Sequence, residues 1–268
     1  MNNNGRRKKP PWRIEGQTVA TDRARRYGGI ARLYGAEALP RLARARVVVA
    51  GIGGVGSWAA EALARSGVGT LVLVDLDHVV ESNINRQSQA LESTQGEAKV
   101  LAMTRRLQEI DAEICVDTVD DFVTPENAAE IVAGADVVID AVDDMDAKLA
   151  LVRACRAASV PLVICGGAGG KTRPDAVRCA DLMNTTHDAL LAGLRRLLRQ
   201  QGEAGATGEL GVQAVYSVEP MRARQDGEAC EAGARLACAG YGSCMPVTAA
   251  FGLTAASCAL QILVTGHS

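Results

Sequence analysis

Aromatic side chains are scarce: two Trp, four Tyr and two Phe, 3% of 268 residues. The chain is nonetheless 48% hydrophobic, so its core must be built from Ala, Val, Leu and Ile. That composition suits buried parallel strands covered by closely packed helices. Paired cysteines are also missing. The eight cysteines, at 115, 155, 165, 179, 230, 238, 244 and 258, contain no C-x-x-C spacing, which excludes the usual paired-cysteine structural zinc site. Several lie inside apolar runs, where cysteine commonly serves as a small core residue. No apolar run precedes residue 47, so no signal peptide is expected and the natural setting is a reducing cytoplasm. No internal repeat is present.

Net charge is only −2 and identifies no partner. Its distribution says more. Residues 1–46 hold twelve Lys/Arg against three Asp/Glu, so a basic amino-terminal stretch precedes an acidic body. That asymmetry points to a polyanion such as RNA. Residues 1–22 are expected to form a basic arm, and 23–268 a single domain. The run 246–266 is long and apolar enough to suggest a membrane span. However, it is rich in Ala, Thr, Ser and Gly, contains Gln261 and lacks a basic flank. A buried or subunit-interface helix is the expectation, with no membrane contact.

Between these ends the pattern alternates. Strands are expected at 47–50, 70–75, 114–118, 136–140 and 161–165. Helices are expected at 54–66, 96–110, 125–132 and 147–158, preceded by a basic helix over 23–46. This order predicts an α/β, Rossmann-like, doubly wound and mainly parallel sheet with helices on both faces, closed by the carboxyl-terminal apolar helix. One further strand is expected within 171–180 and a basic helix over 181–200, ending in Arg195, Arg196 and Arg199. Residues 201–244 are glycine-rich and weakly patterned, and are expected to be a functional or mobile segment.

The chemistry lies where strands end. Gly51, Gly53 and Gly56 satisfy G-x-G-x-x-G between a strand and a helix, with Gly54 beside them, and Asp75 follows nineteen residues after Gly56. That arrangement cradles an adenine nucleotide but discriminates NAD from ATP poorly. The next loop decides more. Asp75 and Asp77 are followed by Asn83, Asn85, Arg86 and then Lys99. An enzyme that adenylates a carboxylate must neutralise a triphosphate without repelling the incoming anion, which requires fixed cations and neutral donors. Arg86 and Lys99 supply the first, Asn83 and Asn85 the second. A later strand ends Asp140-Ala141-Val142-Asp143-Asp144. Asp143 is the choice to meet Mg²⁺ on the nucleotide, with Asp140 supporting the turn and Lys148 one helical turn on. Asp143 or Asp144 could instead cap the next helix. The run Gly166-Gly167-Ala168-Gly169-Gly170 permits close backbone approach to a ligand.

Together these residues resemble the ThiF/MoeB/HesA superfamily, relatives of ubiquitin-activating enzymes that adenylate carboxylates with MgATP. The resemblance rests on G-x-G-G-x-G, D-x-D-x-V-x-x-x-N-x-x-R-Q, the later Lys and D-x-x-D. It implies nucleotide binding by Gly53, Asp75, Asn83, Arg86 and Lys99, metal binding by Asp143 and a homodimer in which Arg32 reaches the partner's phosphates. The segments 26–35, 53–65, 119–125 and 166–170 most resemble the branch that dehydrates threonylcarbamoyladenosine beside the tRNA anticodon. Its implied reaction is ATP-dependent adenylation of the threonyl carboxylate followed by ring closure, with tRNA as partner. The alternative is adenylation of a ubiquitin-like sulfur-carrier protein, and the resemblance also admits a sulfur-relay partner. Cys238 lies where the superfamily's acyl-accepting cysteine often falls, so a catalytic thiol and a structural one both stay open.

Overall fold

Backbone alternation builds the sheet. A computed structural model describes residues 22–203, 208–222 and 241–266. The strands are β1 Arg46–Ala50, β2 Thr70–Val74, β3 Cys115–Val119, β4 Val137–Asp140, β5 Leu162–Cys165, β6 Val177–Asp181 and β7 Gln213–Ser217. They form one sheet in the order β3-β2-β1-β4-β5-β7-β6. Every pairing is parallel except β6 with β7. The helices are α1 Arg23–Tyr34, α2 Ala38–Arg44, α3 Gly56–Arg65, α4 Lys99–Ile110, α5 Ala128–Val132, α6 Met145–Ala158, α7 Ala189–Gln200 and α8 Met245–Thr265. Successive strand residues point to opposite faces. Val47 and Val49 therefore join one core with α2, α3, α4 and α8, while Val48 and Ala50 join a second with α5, α6 and α7. These are the expected doubly wound architecture and the expected small-aliphatic core.

Two expectations change. The basic helix over 23–46 is two helices, because Gly35 breaks the chain with a φ of 93° that L side chains rarely adopt. The weakly patterned stretch 201–244 contains β7, whose Ala214, Val215 and Tyr216 are buried between β5 and β6. Five residues flanked by glycine-rich sequence are too few for periodicity to reveal a strand. The expected arm is outside the described residues up to position 21.

The apolar carboxyl-terminal helix, α8, packs on α3 and across β4 to β7. Gly252 makes the close approach possible, since a Cβ there would lie 2.3 Å from the Val55 carbonyl oxygen. Protein covers one side of α8, whereas Leu253 on the other is 51% exposed. At the opposite end of the chain, α1 is pinned by the buried Asp111. Its carboxylate accepts hydrogen bonds from the Tyr27 hydroxyl (2.7 Å), Arg23 (3.0 Å) and Arg26 (3.1 Å). Burial opposes ionisation of Asp111, but the Tyr27 bond, the Glu113 N–H and the two arginines outweigh it and lower the pKa. Burial and the bond to Asp111 push Tyr27 up to about 12.

A stability window follows. The Asp111 contribution is present above the unfolded carboxyl value and is lost as pH falls through the lowered folded one. The Tyr27 contribution is present below its ordinary value and is lost as pH rises through about 12. Asp111→Asn should cost about 2–3 kcal/mol in urea unfolding at neutral pH, and the acid limb of the wild-type stability profile should flatten in the variant. An unchanged unfolding midpoint would remove Asp111 as the anchor.

Candidate nucleotide site

Parallel register brings the strand ends level: Ala50 faces Val74 on one side and Asp140 on the other. The chain order reverses between β1 and β4, the place where open α/β sheets open a crevice. A cleft of about 490 Å³ lies there. Gly51, Gly53 and Gly54 line it, as expected, but the glycines divide into two kinds. Gly51 has φ 86° and a Cβ there would meet Ala141 O at 2.8 Å, while one on Gly56 would meet Gly51 O at 1.8 Å. Gly56 is absent from the cleft wall and allows α3 to sit tightly on the strand. A Cβ on Gly53 would meet nothing within 4 Å, so no contact among the described residues requires its bareness. Gly56→Ala should destabilise the fold by about 3 kcal/mol or more. Gly53→Ala should leave the melting temperature alone and weaken ATP binding by about tenfold. Equal ATP affinities for wild type and Gly53→Ala would refute phosphate approach at that backbone.

The loop after β2 supplies the charge. Asp75 accepts from the Ile52 N–H at 2.6 Å and the Asp77 N–H at 2.9 Å, so it ties the glycine turn to the next loop as well as lining the cleft. Burial raises its pKa against the pull of Lys99 and these two N–H groups. Lys99, itself buried, reaches Asp77 at 2.7 Å and Asp75 at 3.8 Å. The cation is thus held at the cleft floor between two carboxylates. Asn83 is also buried. Its side-chain oxygen accepts from the Val80 N–H at 3.2 Å, leaving its amide N–H groups without a bond among the described residues. Arg86 donates to Ser82 O (2.6 Å) and to the Asn85 side-chain oxygen (2.9 Å). Trp58 fixes the Arg86 backbone by donating to its carbonyl at 2.9 Å. Asn85 is not in the cleft wall. Its amide donates to Ser243 O at 3.0 Å, so it steadies Arg86 rather than offering a direct donor to phosphate.

On the other wall, Asp144 caps α6 by accepting from the Ala147 N–H at 2.9 Å. That leaves Asp143, exposed in the cleft, with no bond among the described residues. Beneath it lies a fully buried ion pair. Lys148 donates to Asp140 at 3.0 Å and to Cys165 O at 2.8 Å, and Asp140 also accepts from the Val142 N–H at 3.0 Å. Burial pushes the Asp140 carboxyl up, opposed by Lys148. Lys148 does not face the site, as its spacing had suggested. It clamps the ends of β4 and β5 together under the turn that presents Asp143.

The wall also includes Phe122, Val123, Thr124 and Pro125 from the β3–α5 loop, within the segment 119–125 that carried the resemblance, and two residues that carry no local motif, Leu190 from α7 and Thr248 from α8. Gly166, Gly167 and Ala168 approach the cleft as expected, braced by Asp188, which accepts from the Gly167 N–H at 2.9 Å. Arg32 is exposed on α1 and does not line its own chain's cleft. Cys238 lies outside the described residues. Arg195 turns inward to the Thr185 hydroxyl, leaving Arg196 and Arg199 exposed on α7. The basic helix α2 and α7 belong to opposite layers of the sheet.

The cleft thus gathers a glycine turn, a floor lysine, a loop arginine and a carboxylate without a bond among the described residues. The ThiF family model covers residues 26–267. The chain belongs to the ThiF family. Among its ThiF-family relatives is the Escherichia coli K12 tRNA threonylcarbamoyladenosine dehydratase, 45% identical over 247 residues, which span 88% of this chain and 92% of that one. The crystal structure of the E. coli tRNA N6-threonylcarbamoyladenosine dehydratase in complex with AMP superposes with a TM-score of 0.83 at 42% identity, covering 93% of this chain and 98% of that one. The complex of that enzyme with ATP gives a TM-score of 0.82 at 42% identity, covering 92% and 97%. This ThiF-family chain therefore shares the relatives' fold over almost its full length.

Proposed function

We propose that this protein is an ATP-dependent dehydratase of threonylcarbamoyladenosine in tRNA. The observation that carries the reading is the placement of Gly53, Asp75, Asn83, Arg86, Lys99 and Asp143 around one cleft, in a chain matched nearly end to end by a dehydratase solved with ATP. The glycine turn presents backbone to the phosphates. Arg86 and Lys99 face the negative charge that builds when a carboxylate oxygen attacks the α-phosphorus and pyrophosphate leaves. Asn83 offers a neutral donor that does not repel the incoming carboxylate. A second nucleophile of the same substrate then attacks the acyl carbon and AMP departs, so the net change is loss of one water. Closure within one molecule has high effective molarity, so it requires no enzyme thioester.

Magnesium is part of the proposal. Asp143 fits it: an unpaired hard-oxygen carboxylate at the cleft is what Mg²⁺ takes when phosphates supply its other ligands. The ion would neutralise phosphate charge during transfer. Arg32, unused in its own chain's cleft, fits the role of a residue supplied to a second copy in a homodimer. The exposed Arg196 and Arg199 are proposed to contact the tRNA backbone. Adenylation of a sulfur-carrier protein remains the competing reading.

The deciding experiment incubates the protein with ATP, Mg²⁺ and a tRNA bearing threonylcarbamoyladenosine, followed by mass spectrometry of the nucleosides. The expected result is loss of one water from that nucleoside, with one AMP formed per product. AMP release that depends on a carrier protein's carboxyl terminus and leaves the nucleoside intact would replace this reading with the carrier-activating one.

A further inference from the structure

Cysteine chemistry lies outside the nucleotide cleft. Cys179 sits on β6, the last strand of the sheet, and Cys258 on α8, which packs beside it. Their Sγ atoms are 3.2 Å apart although 79 residues separate them, and the Cys258 thiol donates to Cys179. Closing that gap to the ~2.0 Å of an S–S bond needs a movement of about 1 Å. Cys179 is exposed and Cys258 half-buried, so one sulfur meets solvent and the other waits behind it.

We propose that Cys179 and Cys258 form an oxidisable dithiol site that a peroxide converts into an intramolecular disulfide. The Cys179 thiolate attacks one peroxide oxygen. An S–O bond forms, the O–O bond breaks and hydroxide leaves, taking up a proton to become water. The sulfur of Cys258 then attacks the Cys179 sulfenic acid. The S–S bond forms, the S–O bond breaks and a second water leaves with the Cys258 proton. Two thiols are oxidised by two electrons in total, and one peroxide is reduced to two waters.

The surroundings assign the two roles. The hydrogen bond from Cys258 lowers the pKa of Cys179, and the same bond together with burial raises that of Cys258. Cys179 is therefore the attacking sulfur and Cys258 the resolving one. The neighbouring thiols contrast with this pair: Cys155 and Cys165 are buried and pushed up to about 12, chiefly by that burial. The bond would tie β6 to the helix whose Thr248 forms part of the nucleotide wall.

The test is a peptide map of the full-length protein treated with hydrogen peroxide, then alkylated. One linked peptide pair joining Cys179 to Cys258 is expected, and dithiothreitol should release it. Cys258→Ser should abolish the link and leave a sulfenic acid on Cys179 that a dimedone-type probe captures. Cys258→Ala serves the same purpose should a hydroxyl at that half-buried position disturb folding, and the wild-type map needs no variant. Linkage of Cys179 to another cysteine or to a second chain would overturn the proposal. So would separate alkylation of both residues at a peroxide dose that oxidises the protein's other thiols.

Discussion

Arg86→Ala is expected to slow ATP-dependent pyrophosphate release by about 10³-fold while the protein keeps its fold. An arginine that stabilises phosphoryl-transfer charge is worth roughly 10³–10⁵ in rate, whereas a charge that stays in contact with solvent contributes about 1 kcal/mol or less to stability. The split is expected because, among the described residues, the Arg86 side chain bonds only the Ser82 carbonyl and the Asn85 amide oxygen of its own loop. Arg86→Lys should recover only part of the rate, since an ammonium keeps the charge and loses the planar fork. The measurement is pyrophosphate release at saturating ATP beside a melting curve. A folded Arg86→Ala protein with wild-type release would end the assignment of this residue to the phosphates.

Lys148→Met should produce the largest loss of stability, about 3–5 kcal/mol, because it strands Asp140 as a buried charge without its cation. Both side chains are fully buried, so water cannot replace the partner. The double variant Asp140→Asn/Lys148→Met removes the charge as well and should regain a large part of the loss. Urea unfolding of the single and double variants gives the coupling directly. If the single variant is as stable as wild type, the pair does not clamp β4 to β5. The double variant should still turn over slowly even when folded. Asp140 and Lys148 together set the turn bearing Asp143, and a neutral pair would hold that turn less firmly.

The parts of the site legible in the sequence are those built by short chain segments. Gly51, Gly53, Asp75, Asn83 and Arg86 lie in the loops that follow β1 and β2, and Lys99 opens α4 directly after, so spacing along the chain reports their placement in space. Residues brought in by long-range packing leave no such trace. Thr248 reaches the cleft only because Gly252 lets α8 press against Val55. Leu190 reaches it from α7, whose place in the other layer no local spacing reports. Side-chain direction was equally hidden. Asn85 and Lys148 lie close to the site along the chain, yet the side chain of one turns to Ser243 and that of the other bonds the Cys165 carbonyl beneath the floor. The helices on both faces were predictable from alternation, whereas β7 was not, since five residues in a glycine-rich stretch do not establish a period.

The position of β7 also dictates a schedule. The strands β1 to β5 form a contiguous block, β3-β2-β1-β4-β5, from the first 165 residues. On the ribosome this block can assemble while the remainder is still being made. β6 emerges next but bonds only to β7, so it must wait, unpaired, for α7 and then residues 213–217 before it joins the sheet. The helix that supplies Thr248 comes later still. The glycine turn and Asp143 thus stand ready well before the opposing wall arrives, and the nascent protein gains its full grip on nucleotide only once α8 has been made.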